Sequence, residues 1–518
     1  MPEPNDRLIK ARKAVASRVD PGDHLSRDEL AELVNAHIYQ ETGKETAVDG
    51  KYVGKLERGE IRRPHRAYRA AFRAVLGAAT DAELGFLRPT GGRVTVADVD
   101  RKQFLQGVVA SAGVAVGVRP GGVIQRVESL LSGAGEATDV ATQVEWQSLR
   151  MHGGQFFAGT SVGTVVHPAV NDGRVLVTVP RNYADDGFFQ RPHRGLVIGA
   201  VEDDQGVRLF GIDGRHARRR LRASAGGRLL IPRAYLLDDL TLGLLWATAN
   251  LDAGLLDDDA LLAEYREHLE SYAKLPRSAA GRDAASDLTT ASQMWLGSDF
   301  CAKHILRHTD ELSDVPVFWT SEQRGEEAST WLLFAHKYAY LQSLAERFAG
   351  SGSGLARAFC VPGEAVRDSA RPERVLLLLS VALMESFGLR IDVCTDAEYS
   401  AIEGYVLEPS RRAIVANWVR TDGIWLVDVT DNRPSLWEYS EASGQARAHS
   451  VTAGANSAAR LRALAAFLDL DWSWIVQRCA ELAECGSAGL IQPRSRLMSA
   501  AGVDRACRFL GEMKTGRY

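Results

Sequence analysis

The sequence is short of cysteine, of lysine and of long apolar runs, and each shortage removes a class of protein. Six cysteines occur among 518 residues, at 301, 360, 394, 479, 485 and 507, and no two form a CxxC. A disulfide framework or a zinc ribbon needs clustered cysteines, so neither is expected, and a reducing cytosol suits the chain best. No uncharged apolar run reaches the roughly 18 residues that a membrane helix requires. The longest candidate, Gly107 to Val118, is short and rich in Gly and Ala. The opening residues, Met1-Pro2-Glu3-Pro4-Asn5-Asp6, hold no apolar signal region. Arg101-Lys102-Gln103-Phe104-Leu105 has a twin-arginine look but lacks the Arg pair, and reads as part of a connecting helix. The catalytic signatures GxSxG, Walker A and HExxH are missing. Gly350-Ser351-Gly352-Ser353-Gly354 is glycine-rich but is followed by no phosphate-gripping Lys, so it reads as a turn.

What is present is an ordinary globular composition, 45% hydrophobic and 25% charged. The length suggests about three domains at roughly 150 residues each. Only ten of the 62 basic residues are Lys, and the excess of Arg mostly reflects GC-rich coding. With 66 acidic residues the net charge is −4, which argues against a uniformly basic nucleic-acid coat. The charge is unevenly spread. Residues 1–80 hold 15 basic and 12 acidic side chains, while the rest is acidic.

Residues 7–88 read as helical, with Leu30, Leu33, Val34 and Ile38, then Val53 and Leu56, then Tyr68, Phe72, Val75 and Leu76 at helical spacing. Ser26 with Glu29 is a capping box, Asp49 can cap a later helix, and Gly59 and Gly77 are helix stops. Residues 155–235 change to short β-type runs: 165–166, 175–179, 196–201, 207–212 and 229–231. Turn residues at 171–173, 203–206 and 225–227 separate them, which predicts hairpins of a small antiparallel sheet or barrel. Residues 238–273 are helical again, and 276–292 read as a loop or linker. Beyond it helices (331–348, 374–387, 457–468, 472–483) alternate with strands (358–361, 390–394, 404–407, 413–418, 424–429). The expected fold is therefore multidomain α+β. Residues 1–88 form an all-α domain, 89–150 a linker with connecting helices, 151–275 a β-rich domain with closing helices, and 276–518 an α/β sensor or dimerisation domain.

The strongest motif is Leu25-Ser26-Arg27-Asp28-Glu29-Leu30-Ala31, followed by Tyr52-Val53-Gly54-Lys55-Leu56-Glu57-Arg58-Gly59. Two short amphipathic helices so arranged form a helix-turn-helix, whose second helix fits a major groove roughly 12 Å wide. Val53 and Leu56 point inward on that helix, leaving Gly50, Lys51, Gly54 and Lys55 outward. Over residues 51–73 eight basic side chains stand against two acidic ones. Such a stripe alone also describes a solvated helix face; directly after a recognition helix it reads as a phosphate footprint.

The motif resembles the Cro/CI-like (XRE-type) helix-turn-helix family, over about residues 7–77. The resemblance implies that Arg27 opens the second helix and contacts phosphate or base. It implies that Gly50, Lys51 and Lys55 face the groove, with Gly50 giving close backbone approach, and that Glu57 is structural. Arg58, Arg62, Arg63 and Arg66 would contact phosphate. One departure is the long stretch Asn35 to Val48, where the family uses a short turn; helix two is expected to run through Tyr39 and a loop to follow. Thr80 to Phe86 and Leu240 to Asp252 are similar to segments of long actinobacterial regulators of this type.

Weaker constellations follow. Cys301, His304 and His308 could approach one metal, but a fourth ligand is not evident, so a mixed helix surface with a buried Cys is the preferred reading. His336-Lys337-Tyr338 with the strands from 358 to 418 resembles a phospholipase-D-like α/β half. That family needs His-x-Lys, which this chain lacks, so the resemblance implies a degenerate, ligand-binding form. Arg215, His216 and Arg218 to Arg220 form a second basic cluster, read mainly as solvated surface. Of the tryptophans at 295, 319, 331, 418, 425, 437, 472 and 474, most are expected in the core and one or two in a ligand pocket.

The function expected is a cytoplasmic, DNA-binding transcriptional regulator and not an enzyme. Its partners are double-stranded DNA, a second copy of the chain and a small-molecule effector, with no membrane, metal or cofactor. The alternatives are a DNA-targeted phosphodiester or nucleotide enzyme and a protein-binding scaffold.

Overall fold

The computed structural model describes residues 4–17, 23–42, 46, 48–59, 64, 66–78 and 81–86. It further describes 147–513 except 172, 181–182, 191–193, 204–205, 225–226, 350–353 and 420–422. The chain is mixed α/β and divides into two compact units, residues 1–96 and 97–518. The expected linker at 89–150 falls outside the described residues except for its last four. So do the segments at 101–118 and 350–353.

Among its described residues the first unit contains four α-helices: α1 (Asp6–Lys13), α2 (Arg27–Thr42), α3 (Gly50–Glu57) and α4 (Arg66–Leu76). The capping box forms as its residues suggest, with Ser26 Oγ accepting from Glu29 N (3.1 Å) and Glu29 Oε2 accepting from Ser26 N (2.8 Å). Leu30, Val34 and Ile38 repeat every four residues and lie buried with Val53, Leu56 and Phe72. Gly59 and Gly77 take φ of 72° and 68°, the left-handed stop that glycine tolerates.

Helix α2 runs to Thr42, past the expected Tyr39. Asn35 explains how the long connection is absorbed. Its Oδ1 accepts from Val48 N (3.1 Å) and Thr46 Oγ1 (2.8 Å), and its Nδ2 donates to Val48 O (2.8 Å). The chain is thus pinned one residue before Asp49, whose carboxylate accepts from Tyr52 N at 2.7 Å and starts α3.

Among its described residues the second unit holds two mixed sheets. The first comprises β1 (Gln147–Gly153), β2 (Ala158–Asn171), β3 (Val175–Thr178), β4 (Gly195–Asp203), β5 (Gly206–Asp213) and β6 (Arg228–Ile231). Its order is β5-β4-β2-β3-β6, with β1 on β2. The five expected strands are all present, but the sheet is not purely antiparallel. β4 crosses over to lie parallel to β2, because short 3₁₀ turns at 183–190 replace a hairpin.

Helix α5 (Gly214–Ala223) occupies the supposed basic surface cluster. Its burying signal is small, Ala217 and Leu221 behind an Asp213 cap, so arginines mask it in the sequence. Those arginines are occupied. Arg218 Nε donates to Ala184 O, Arg219 to Gln492 Oε1 and Arg220 to Leu230 O. Helices α6 (Asp239–Asp257) and α7 (Asp259–Leu269) follow.

The second sheet has the order β10-β9-β8-β11-β12-β13-β7. Its strands are β7 (Ser278–Gly281), β8 (Val317–Thr320), β9 (Ala356–Cys360), β10 (Arg390–Cys394), β11 (Tyr405–Glu408), β12 (Arg412–Asn417) and β13 (Gly423–Thr430). The expected loop at 276–292 is therefore corrected. It supplies edge strand β7, paired to β13, and the start of helix α8 (Thr290–Thr309). Small Ala, Ser and Gly residues look like a linker, and only the partner strand makes them extended. Helix α8 packs closely on this sheet because residue 297 is Gly; a Cβ there would stand 2.2 Å from Ile424 O.

The expected helix 331–348 is two helices, α9 (Gly325–Leu333) and α10 (Ala335–Arg347). The break falls at Phe334, where the segment 497–499 pairs with the backbone. Ala335 N donates to Leu497 O (3.1 Å) and Ser499 N to Leu333 O (2.8 Å). The remaining helices are α11 (Gly363–Asp368), α12 (Arg371–Ser386), α13 (Arg433–Ala448), α14 (Ser457–Phe467), α15 (Trp472–Cys485), α16 (Ala488–Ile491) and α17 (Ala501–Glu512). Helix α12 is central; almost every residue from Val375 to Glu385 is buried.

One continuous core runs through both sheets and the helices between them, across the boundary expected at 275/276. A second core under α13 covers the other face of the β7–β13 sheet. Among the described residues, no helix is long and apolar enough to cross a membrane.

Candidate functional sites: an exposed lysine pair and a cationic cavity

The first candidate site lies on α3. Val53 and Leu56 are fully buried, while Lys51 and Lys55 are exposed and four residues apart, one turn along the same face. Gly50 is partly buried against α2, and a Cβ there would meet Asp28 Oδ1 at 2.0 Å. Gly54 departs from its expected outward position. It is buried beneath Arg27 and Arg58, with Arg58 Nη1 3.1 Å from where its Cβ would be.

Glu57 holds the helix in place. It is 1% exposed, and its two oxygens accept from Arg12 Nε (2.7 Å) and Arg27 Nε (2.6 Å). Arg12 also donates to Leu25 O at 2.6 Å, so one guanidinium ties α1, α3 and the residue before the α2 cap. Arg27 is thus partly committed to Glu57, although its side chain stays 47% exposed. Arg58 is exposed at the end of α3. Arg62, Arg63 and the Arg66 side chain lie outside the described residues.

The second candidate is a cavity of about 50 Å³ between α8, α9, α10 and the β7–β13 sheet. Register places Arg357, Phe318, Val406 and Ile414 in one row across β9, β8, β11 and β12, with Thr320 two residues along β8 from Phe318. Arg357 and Phe318 therefore point to one face. Trp331 from α9 and Lys337 from α10 enter from the helices. On an unbroken helix six residues separate by about 240°; the break at Phe334 lets both reach one space.

Lys337 Nζ contacts Glu322 Oε1 at 3.1 Å and lies 3.8 Å from the Trp331 ring centroid and 4.7 Å from that of Trp418. Burial pushes its amine down to about 8, against the opposing pull of Glu322. Arg357 donates to Thr320 Oγ1 (2.6 Å) and Tyr340 Oη (3.3 Å) and lies 4.9 Å from the Trp331 centroid. Burial raises the Cys301 thiol and the Tyr340 hydroxyl, so both stay neutral. Two cations thus face one carboxylate, among aromatic walls.

The histidines of the weaker constellations have other partners. His336 hydrogen-bonds Ser298 Oγ through Nε2 (2.9 Å) and stands edge-on to Trp295, turned from the lysine beside it. Burial and the nearby Lys337, Lys303 and Arg266 keep its imidazole neutral. Cys301 lines the cavity, while His304 points to Asp428 O (3.4 Å) and Arg307 approaches its other nitrogen (3.2 Å). Among the described residues no three His, Cys, Asp or Glu side chains group as a metal site.

His304 has a testable consequence. Burial, with lesser help from His308 and Arg307, lowers its pKa from 6.5 to about 4. The unfolded chain therefore binds a proton that the folded one refuses between these values. The stability it contributes is complete above pH 6.5 and is lost as pH falls through about 4, with a slope of about 1.4 kcal/mol per pH unit. Urea unfolding at pH 7 and pH 5 checks this: His304→Gln should flatten the slope, and an unchanged slope refutes it.

Sequence reasoning singled out Lys337 for other chemistry and passed over Arg357 and Glu322. The available signal was Arg357 itself, a charge inside the apolar strand Ala356-Arg357-Ala358-Phe359-Cys360. Two tryptophan rings, 331 and 418, face the cavity, and Trp319, the residue after Phe318 on β8, packs in the core on the other side of the sheet. Compared with protein-family models, with curated proteins and with solved structures, the chain finds no match.

Proposed function

We propose that the chain is a cytoplasmic transcriptional regulator that binds double-stranded DNA through α2 and α3, used as an XRE-type helix-turn-helix. The observation that carries this reading is the Lys51–Lys55 face. It is exposed on a helix whose other side is fully buried against α2 and fixed by Glu57. A rigid helix presenting two ammonium groups one turn apart suits a major groove with phosphate on either side. Arg58 stands exposed at the end of α3, and Arg62, Arg63 and Arg66, which follow it in the sequence, would add phosphate contacts. One module covers a half-site, so the regulator works as a homodimer, and the 97–518 unit takes an effector that sets its activity.

Binding of genomic fragments, mapped across the genome and then measured by anisotropy against salt, tests the reading. Lys51→Ala with Lys55→Ala should weaken binding about 10- to 100-fold, and each lysine that meets phosphate should take about one unit from the salt slope. Affinity indifferent to salt, or unchanged in the double variant, refutes the assignment.

A further inference from the structure

Among the described residues, four arginines are less than 10% exposed over the whole residue, and they behave in two ways. Arg12 pairs Glu57, Arg194 pairs Asp213 and Asp252, and Arg478 pairs Asp238. Arg357 is 4% exposed and, among the described residues, has no carboxylate within 4 Å; its partners are the neutral hydroxyls of Thr320 and Tyr340. Its Nε has no acceptor at all, and neither has the indole nitrogen of Trp331. A guanidinium taken from water without a counter-charge is costly, and proteins that bury one normally pair it. Here the exception lines a cavity.

The charges around that cavity can be counted. Lys337 and Arg357 are cations, Glu322 is the one carboxylate among the lining residues, and Cys301, Tyr340 and Tyr405 are neutral. Glu322 lies 3.1 Å from the lysine, which leaves the arginine uncompensated. The space is short of one negative charge, and two of its donors, Arg357 Nε and the Trp331 indole nitrogen, have no acceptor. Its walls, Phe318, Trp331 and Trp418, are apolar. Its volume of about 50 Å³ exceeds what a single water needs, roughly 10–15 Å³. The partly exposed Ala302, Ile305 and Trp418 are its most accessible edge.

We propose that this cavity is a binding site for a small organic monocarboxylate, whose carboxylate accepts from Arg357 and whose short apolar chain lies against the tryptophans. A carboxylate offers two acceptor oxygens in a plane that matches the guanidinium fork, and it supplies the single missing charge. The inference stands apart from the DNA-binding reading, and its readouts need no DNA.

Propionate is the probe, added to the full chain, with inorganic phosphate and propylammonium at equal ionic strength as comparisons. Propionate should raise the melting temperature in a saturable way, and propylammonium should not. Arg357→Met should abolish that response. It should also leave the unliganded protein as stable as the parent or more so, because an unpaired buried charge has been replaced by a side chain of similar volume. Lys337→Arg, which keeps the charge, should retain saturable propionate binding. A parent unresponsive to propionate, or stabilised by phosphate and not by propionate, overturns the proposal. So does an Arg357→Met protein that unfolds at lower temperature than the unliganded parent, since the arginine would then be serving the fold and not a ligand.

Discussion

Asp252→Ala is expected to lower the stability of the larger unit by about 3–5 kcal/mol, the usual result of breaking one partner out of a buried charge network. Asp252 sits on α6, 3% exposed, and its two oxygens are fully used. Oδ2 accepts from Arg194 Nη2 at 2.7 Å, and Oδ1 accepts from the backbone nitrogens of Arg494 (2.9 Å) and Ser495 (3.0 Å). Asp213, fully buried, completes the group. It accepts from Arg194 Nη1 (3.1 Å) and from Arg494 Nη2 (2.8 Å to the nearer oxygen) while capping α5.

Two guanidinium and two carboxylate groups are thereby neutral as a set and charged as fragments. Alanine at 252 leaves Arg194 with one carboxylate and leaves two backbone donors unmet, one buried and one partly so. Urea unfolding followed by tryptophan fluorescence measures the loss. A companion, Arg194→Met with Asp252→Leu, should recover part of it, because it removes a cation with its anion and leaves Asp213 paired to Arg494. A loss under 1 kcal/mol in the alanine variant would show that the network adds little.

The second large effect is expected at Glu57. Its carboxylate is the shared acceptor for Arg12 and Arg27, and Arg12 is itself nearly buried. Glu57→Ala leaves Arg12 with only Leu25 O and leaves a buried cation without an anion. A cost of about 3 kcal/mol is expected, and a unit of this size has few kcal/mol to lose. Hydrogen exchange resolves the effect by segment. Amides of α2 and α3 should lose protection, while those of the β7–β13 sheet keep theirs. Retained protection in α3 would refute the role given to Glu57. Loss in both units would refute the independence implied by their separate cores.

How much of this was legible in the sequence depends on where each signal is stored. The capping box at Ser26 and Glu29, the Asp49 cap and the glycine stops are local, and all formed as expected. The apolar strands 196–201 and 390–394 carry their own periodicity and burial, so they too were readable. Strand β7 and helix α5 were not. The first is extended only because β13 lies beside it, and the second hides Ala217 and Leu221 among arginines. The split at Phe334 could not be foreseen, since its cause lies more than 150 residues later in Leu497 and Ser499. The same holds for the cavity. Lys337 was visible as a residue, but what makes it unusual is its neighbour Arg357, and nothing local in the chain says that strand and helix will share Trp331.

The Asp213–Arg494 contact also has a consequence for synthesis. The partners are 281 residues apart. Asp213 and Arg194 emerge from the ribosome long before the arginine that completes their network. At roughly 5–20 residues per second the wait is on the order of 15–60 s. During that interval Asp252 on α6 has Arg194 for Oδ2 but no partner for Oδ1, and the helix's apolar surface has no C-terminal helices to cover it. Nascent chains stalled before residue 494 should therefore be bound by holding chaperones and released once the last hundred residues appear. The arginine that stabilises the finished molecule sets the moment at which it stops needing help.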